Sequence, residues 1–279
     1  MTDSQPLFSI SSENQDIKPA QQPQQAKPLL EAQKISKTFP SFPEPVRAVD
    51  SLSLSLKKGR SLALVGESGS GKTTAVQICL GMLAPDSGQV LWKGKDIVSG
   101  SGLSQLKKGT GLVFQNPYSS LNPRWTGADI IAEPLRLSGI KDKKILVEKS
   151  SRALEMVGLE PEVFLRRYPQ DMSGGQAQRV AMARALVTNP ELLMADEPLS
   201  AVDVSGRVRI VSAFQDLRTR GMSLLIVLHD LGIARLLADD IMVMHQGKIV
   251  EYGPAGEVLK NPCKDYTRRL MEAAAWDIY

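Results

Sequence analysis

The apolar residues of this chain follow three different spacings, and each predicts a different element. Leu52, Leu54 and Leu56 alternate with serines, the period of two expected of a half-buried antiparallel strand. Gln89-Val90-Leu91-Trp92 predicts another strand of the same small sheet, and a strand-like pattern already begins at Glu31. The runs at 61–65, 192–195 and 224–228 are continuously apolar and separated by helical segments, as expected of parallel strands covered on both faces. Gly111-Leu112-Val113-Phe114 is also strand-like. A helical pattern prevails over about 116–172, with helices around Gly127 to Leu137 and Ile145 to Val157, and returns after Gln176 through about Thr188. Asp240 to Met244 and Lys248 to Tyr252, joined by Gln246-Gly247, predict a hairpin. Residues 1–28 are polar and rich in glutamine and proline (Pro19-Ala20-Gln21-Gln22-Pro23-Gln24-Gln25), which predicts a disordered tail.

Composition narrows the class. At 279 residues, 42% of them hydrophobic and 23% charged, the chain can bury a sizeable core. No apolar stretch approaches the ~18 residues needed to cross a bilayer, and Asp3 with no apolar segment near it speaks against a secretory signal. A cytoplasmic protein is expected, with any membrane role exerted through partners. The net charge of +4 mildly favours anionic partners. No dense Lys/Arg stripe with interleaved aromatics is present, so nucleic-acid binding is not expected. Cys79 and Cys263 are too few for a disulfide framework or an iron–sulfur cluster.

The candidate chemistry begins where the first continuous apolar run ends. Gly66-Glu67-Ser68-Gly69-Ser70-Gly71-Lys72-Thr73 is G-x-x-x-x-G-K-T placed between a buried strand and a helix that runs from Thr73 to roughly Leu80. Glycines let consecutive backbone N–H groups face a phosphate chain, and the helix adds the positive end of its dipole. Lys72 can reach the β- and γ-phosphates, and the Thr73 hydroxyl can ligate Mg²⁺. The second run, Leu192-Leu193-Met194-Ala195, ends in Asp196-Glu197. Neighbouring strand residues point to opposite faces, which argues against one shared-proton dyad. A division of labour fits better, with Asp196 in the Mg²⁺ shell and Glu197 on the attacking water.

Between these lies Met172-Ser173-Gly174-Gly175-Gln176, which by itself is a plausible helix cap. In this setting it resembles the signature of ABC (ATP-binding-cassette) ATPases, L-S-G-G-Q followed by a basic residue, with Met172 and Ala177 as departures. Further elements of that family occur in order. Gln115 matches the Q-loop glutamine, and Ser200-Ala201-Val202-Asp203 resembles the D-loop, with Val202 for its usual Leu. His229 matches the switch histidine, preceded by Leu228 where many members carry a small hydroxyl residue. Phe39 falls where the family places an aromatic that stacks on adenine. The resemblance spans roughly residues 30 to 275.

It implies an α/β fold: a P-loop NTPase (RecA-like) parallel-sheet core with an antiparallel β subdomain and a helical subdomain at about 116–172. The cassette would occupy 29–255, with a tail at 256–279. The implied ATP-binding residues are Phe39, Gly66, Glu67, Ser68, Gly69, Ser70, Gly71, Lys72, Thr73 and Thr74. Glu197, His229 and Gln115 would be catalytic, and Thr73, Gln115 and Asp196 would hold Mg²⁺. Ser173, Gly174, Gly175 and Gln176 would serve an ATP bound to a partner, and Ser200 and Asp203 would belong to the D-loop. Because members of that family bind each ATP between one subunit's phosphate loop and the other's signature, the resemblance implies that this chain, with one copy of each motif, is half of an ATPase, to be completed by a second ABC ATPase, like or unlike it.

Phe114-Gln115-Asn116-Pro117-Tyr118-Ser119-Ser120-Leu121-Asn122-Pro123-Arg124 and Asp265-Tyr266-Thr267-Arg268-Arg269-Leu270-Met271 resemble segments of peptide/nickel-type importer ATPases. This implies an ATPase subunit on the cytoplasmic face of the cell (inner) membrane, beneath two permease subunits and supplied by a solute-binding protein. The alternative is a non-transport ABC ATPase serving a soluble enzyme such as carbon–phosphorus lyase. Stand-alone translation or repair ABC proteins fit less well, since no second cassette or long coiled-coil insertion is visible.

Overall fold

The alternating and the continuous apolar runs build two different sheets. The computed structural model describes residues 27–98, 101–200 and 202–276, so the tail expected at 1–28 lies outside the described residues up to position 26, as does Ala201. Strands β1 (Leu30–Phe39) and β2 (Val46–Leu56) pair antiparallel, and β3 (Ser61–Val65) leads into α1 (Lys72–Cys79). β4 (Ser87–Trp92) and β5 (Lys95–Asp96) follow, then α2 (Gly102–Gly109) and β6 (Thr110–Val113). A helical stretch comprises α3 (Pro117–Ser120), α4 (Gly127–Leu137), α5 (Lys143–Met156) and α6 (Pro161–Phe164). Next come α7 (Gly174–Leu186), β7 (Leu192–Asp196), α8 (Val204–Thr219), β8 (Ser223–Leu228), α9 (Leu231–Leu237), β9 (Asp240–His245) and β10 (Lys248–Pro254). The chain closes with α10 (Ala255–Lys260) and α11 (Asp265–Trp276), both packed back against α9 and β10.

The antiparallel sheet has the order β2-β1-β4-β5, and the second sheet the order β10-β9-β3-β8-β7-β6. Five strands of the second sheet are parallel, with β10 an antiparallel edge. Its turn, Gln246-Gly247, has positive φ at both positions (46° and 77°), the geometry that two-residue hairpins favour. Because side chains alternate along a strand, the continuously apolar runs feed two cores. Leu62, Leu64, Leu192, Met194, Leu225 and Val227 pack with α1 and the buried leucines of β2. Ala63, Val65, Leu193, Ala195, Leu224 and Ile226 pack with the helices on the other face. The predicted Gly111–Phe114 strand ends one residue early, and Phe114 is half-exposed. Among the described residues no helix is long and apolar enough to cross a membrane.

This layering places chemistry at one edge. The carboxyl ends of β3, β8 and β7 lead directly into Gly66, His229 and Glu197, and that of β6, their neighbour in the sheet, reaches Gln115 one residue beyond Phe114. That rim is where open α/β sheets bind ligands.

The opposite end of the sheet is fastened by Asp239. Its carboxylate accepts from the Ser61 N–H (2.8 Å), the Ser61 hydroxyl (2.9 Å) and Arg218 (2.5 Å), joining β3, α8 and the start of β9. Burial opposes ionisation, but the Ser61 N–H and Arg218 hold this carboxyl below its ordinary value. A depressed carboxylate contributes stability above the unfolded-state pKa and loses it as pH falls through the folded value. Asp239→Asn is therefore expected to cost about 1.5–3 kcal/mol at pH 7, the range for hydrogen bonds to charged groups. In urea unfolding at several pH values, the difference from wild type should shrink below about pH 4, the ordinary aspartate range.

Candidate functional site

The loop between β3 and α1 can exist only without side chains at two points. Gly66 has φ +152°, and a Cβ there would lie 2.2 Å from the Met244 carbonyl oxygen. Gly71 has φ +101°, and a Cβ there would lie 2.0 Å from the Ala48 carbonyl oxygen. Outside the loop, the Gly247 N–H donates to the Ser70 carbonyl at 2.9 Å. α1 starts from Gly71 with no side-chain cap, so its first N–H groups are left for a ligand. The Lys72 ammonium is buried and donates to the Gly66 and Glu67 carbonyls, both at 2.8 Å. Burial lowers its pKa, while the carboxylates of Glu197, Asp196 and Glu67 work against that shift.

A cavity of about 460 Å³ opens over this loop. Its walls include Ser68, Gly69, Gly71, Lys72, Thr73 and Thr74, with Gln115 and Glu197 opposite. Asp196 ends β7 beneath it and accepts from the Thr73 hydroxyl at 3.3 Å. Burial raises the Asp196 pKa, the Thr73 hydrogen bond lowers it and the Glu197 charge raises it again. Glu197 turns away into the left-handed region, φ 45°, its N–H bound to the Val227 carbonyl at 3.1 Å. Its carboxylate accepts from Gln115 Nε2 at 2.8 Å and lies 2.5 Å from His229 Nε2. His229 Nδ1 is 3.2 Å from the Gly66 carbonyl oxygen. The two acids thus have separate partners, and no dyad forms.

Among the described residues no three His, Cys, Asp or Glu side chains form a metal cage. Thr73 Oγ1 and Asp196 Oδ1, with the Gln115 amide nearby, are instead a set of hard oxygens. That donor set suits Mg²⁺, which takes one or two protein ligands and completes its shell with water and phosphate oxygens.

Other predicted residues stand apart. Phe39 is 38% exposed and does not line the cavity, although its ladder partner Val46 does; Lys37 Nζ lies 5.9 Å above its ring. Ser173, Gly174, Gly175 and Gln176 open α7 and lie outside the cavity wall. Ser173 and Gln176 cap the helix reciprocally, the Gln176 N–H on the Ser173 hydroxyl and the Ser173 N–H on Gln176 Oε1. Ser200 donates its hydroxyl to the Glu197 carbonyl at 3.0 Å, and Asp203 accepts from Ser205 before α8. Sequence reasoning missed Arg47, Ala48, Gln246 and Gly247 in the cavity wall; only the Gln-Gly turn carried a signal. A larger concavity, about 950 Å³ over β1, β2 and β4, contains none of the motif residues. The smaller cavity carries the chemistry, because the charged groups converge there.

Comparison with known proteins agrees with this geometry. The ABC transporter family profile matches residues 49–200. The oligopeptide transport ATP-binding protein OppF of Bacillus subtilis is 41% identical over 250 residues, covering 88% of this chain and 82% of its own. The dipeptide transport ATP-binding protein DppF of Haemophilus influenzae is 38% identical, covering 88% and 78%. Among solved structures, the ATP-binding cassette MJ0796, in a dimeric post-hydrolysis state bound to ADP and Pi, superposes with a TM-score of 0.73 at 28% identity. That match covers 81% of this chain and 98% of the cassette.

The Asp196 environment yields a test. A carboxyl whose pKa is raised on folding favours the folded state while protonated, and that contribution is lost as pH rises through the raised value. Asp196→Asn keeps the shape and removes the charge. Without nucleotide or metal, this variant is expected to melt above wild type at pH 7. The gap should close as pH falls toward the ordinary aspartate range near 4.

Proposed function

This chain belongs to the ABC transporter family, and we propose that it is the ATP-hydrolysing subunit of a peptide importer. The observation that carries the reading is the convergence of Lys72, Asp196, Glu197, Gln115 and His229 on one glycine loop at the carboxyl rim of a parallel sheet. The oligopeptide and dipeptide transport names of its relatives support the solute class.

In this reading the loop amides and the α1 N-terminus bind the phosphate chain of ATP, and Lys72 places its charge against the β- and γ-phosphates. Phe39, exposed beside the cavity, offers its ring to the adenine. Thr73 and Asp196, with Gln115, would hold Mg²⁺, which supplies positive charge to the phosphate oxygens. The Glu197 carboxylate orients the attacking water and takes its proton, and His229 stabilises the γ-phosphate as charge develops on it. Both carboxylate oxygens of Glu197 already have partners within the chain. Each oxygen keeps a second lone-pair direction, so a water in the cavity can reach this base while those contacts hold its orientation.

The Ser173-Gly174-Gly175 helix end is not part of this chain's own cavity wall, which supports a role on the phosphates of a second ATPase. The assembly is a pair of cassettes, identical or different, under two membrane permease subunits on the cytoplasmic face of the membrane. A solute-binding protein delivers the peptide to it.

Glu197→Gln is expected to keep ATP binding and to slow turnover by roughly 10²-fold or more, the scale for a positioned acid–base group. Fluorescent-nucleotide titration beside phosphate release would read both, and normal hydrolysis by the variant would remove Glu197 from the mechanism. Lys72→Ala should lose productive ATP binding in the same titration. Turnover per mole of isolated chain should rise with protein concentration and rise further with partner subunits; a high, concentration-independent rate refutes the half-site reading.

A further inference from the structure

The peptide unit joining Gly66 to Glu67 is gripped from both sides. Its carbonyl oxygen accepts from Lys72 Nζ at 2.8 Å and faces His229 Nδ1 at 3.2 Å. Its N–H, the amide of Glu67, donates to the Tyr266 hydroxyl at 3.2 Å. A trans peptide is planar, with C=O and N–H pointing in opposite directions, so fixing one fixes the other. Gly66 contributes no steric restraint of its own, because a residue without Cβ tolerates many peptide orientations. The orientation that serves Lys72 and His229 therefore has to be held from outside the loop.

Tyr266 is built to do this. It lies in the first turn of α11, about 200 residues from the loop in sequence, and its ring stacks on His245 with centroids 4.0 Å apart at 34°. His245 ends β9, immediately before the Gln246-Gly247 turn that holds the Ser70 carbonyl. The approach to α11 is fixed by Glu251 of β10, whose carboxylate accepts from the N–H groups of Cys263 (2.8 Å) and Lys264 (3.3 Å). Strand, turn and helix thus deliver the hydroxyl to Glu67, whose N–H donates to it and whose carboxylate lies close to it.

We propose that Tyr266 is a positioning residue for ATP hydrolysis: by holding the Glu67 N–H, it aims the Gly66 carbonyl that orients Lys72 and His229. Lys72 keeps its second anchor on the Glu67 carbonyl, so loss of the Tyr266 hydrogen bond falls mainly on the chemical step, through His229, rather than on ATP affinity. The inference rests on the ATPase reading above.

The test uses the full chain assembled with its partner subunits. Tyr266→Phe keeps the ring on His245 and removes only the hydroxyl. It is expected to lower kcat about five-fold, which at 1.36 kcal/mol per tenfold is about 1 kcal/mol, the ordinary worth of one hydrogen bond. KM for ATP should stay within about two-fold, since an interaction felt only in the transition state moves kcat alone. In a His229→Ala background the same substitution, read on the residual single-turnover rate, should cost less than it does in wild type, because one group it orients is gone. Independently of turnover, the Glu67 amide should exchange its hydrogen faster in Tyr266→Phe. Unchanged kcat, a rise in KM alone, the same factor in both backgrounds or unchanged Glu67 exchange each overturns the proposal. A wild-type assembly that does not hydrolyse MgATP overturns the ATPase reading instead.

Discussion

A loop that offers its N–H groups to a phosphate chain has to be supported by something other than those N–H groups, and this constraint organises the molecule. The support comes from backbone on the outer side of the loop. Gly66 lies against the Met244 carbonyl, Gly71 against the Ala48 carbonyl, and Ser70 accepts from Gly247. Gly247 in turn accepts from Asp50, so β2 of the antiparallel sheet and the β9–β10 turn of the parallel sheet meet behind the loop. The two sheets share a core, and they also share the task of holding this one segment. A methyl group at Gly71 would push β2 off the loop, and one at Gly66 would push the loop off β9.

Desolvation sets the electrostatics on the inner side. The Lys72 ammonium and the Asp196 carboxyl are both withdrawn from water, and burial shifts each toward its neutral form. Each is kept partly satisfied by a substitute partner, the loop carbonyls for Lys72 and the Thr73 hydroxyl for Asp196. A polyanion accompanied by a divalent cation satisfies both groups at once. Either one alone leaves a buried charge without its complement.

The parallel core and the loop were legible because their signals are local: continuous apolar runs for β3, β7 and β8, and a glycine pattern whose spacing has a mechanical cause. The Gln246-Gly247 turn was equally legible, since positive φ at two successive positions selects such residues. Its place in the cavity wall was not, because that depends on how β9 pairs with β3. Helices α2 and α8 were expected only as helical segments without bounds; the buried positions Ile210, Ala213, Phe214 and Leu217 of α8 keep helical spacing, but the exposed Val204 and Val208 blur where its apolar face begins. Tyr266 was visible as part of a resemblance, yet nothing local could show that its hydroxyl reaches Glu67. Contacts made across such sequence distances are set by topology, which no window of residues contains.

The segment around Gln115, from Phe114 to Ser120, is fastened to α7 and to the residue just before its cap at three separate points. Gln178 donates to the Phe114 carbonyl at 3.2 Å, Arg184 to the Ser120 carbonyl at 2.6 Å, and the Tyr118 hydroxyl to the Met172 carbonyl at 2.9 Å. α7 is buried along most of its length. On the proposed reading, a change felt by Gln115 at this chain's own nucleotide is passed to Ser173, which addresses the nucleotide of the other cassette. Two such chains face to face would form a crossed pair of levers, each carrying news of its own fuel to its neighbour's engine.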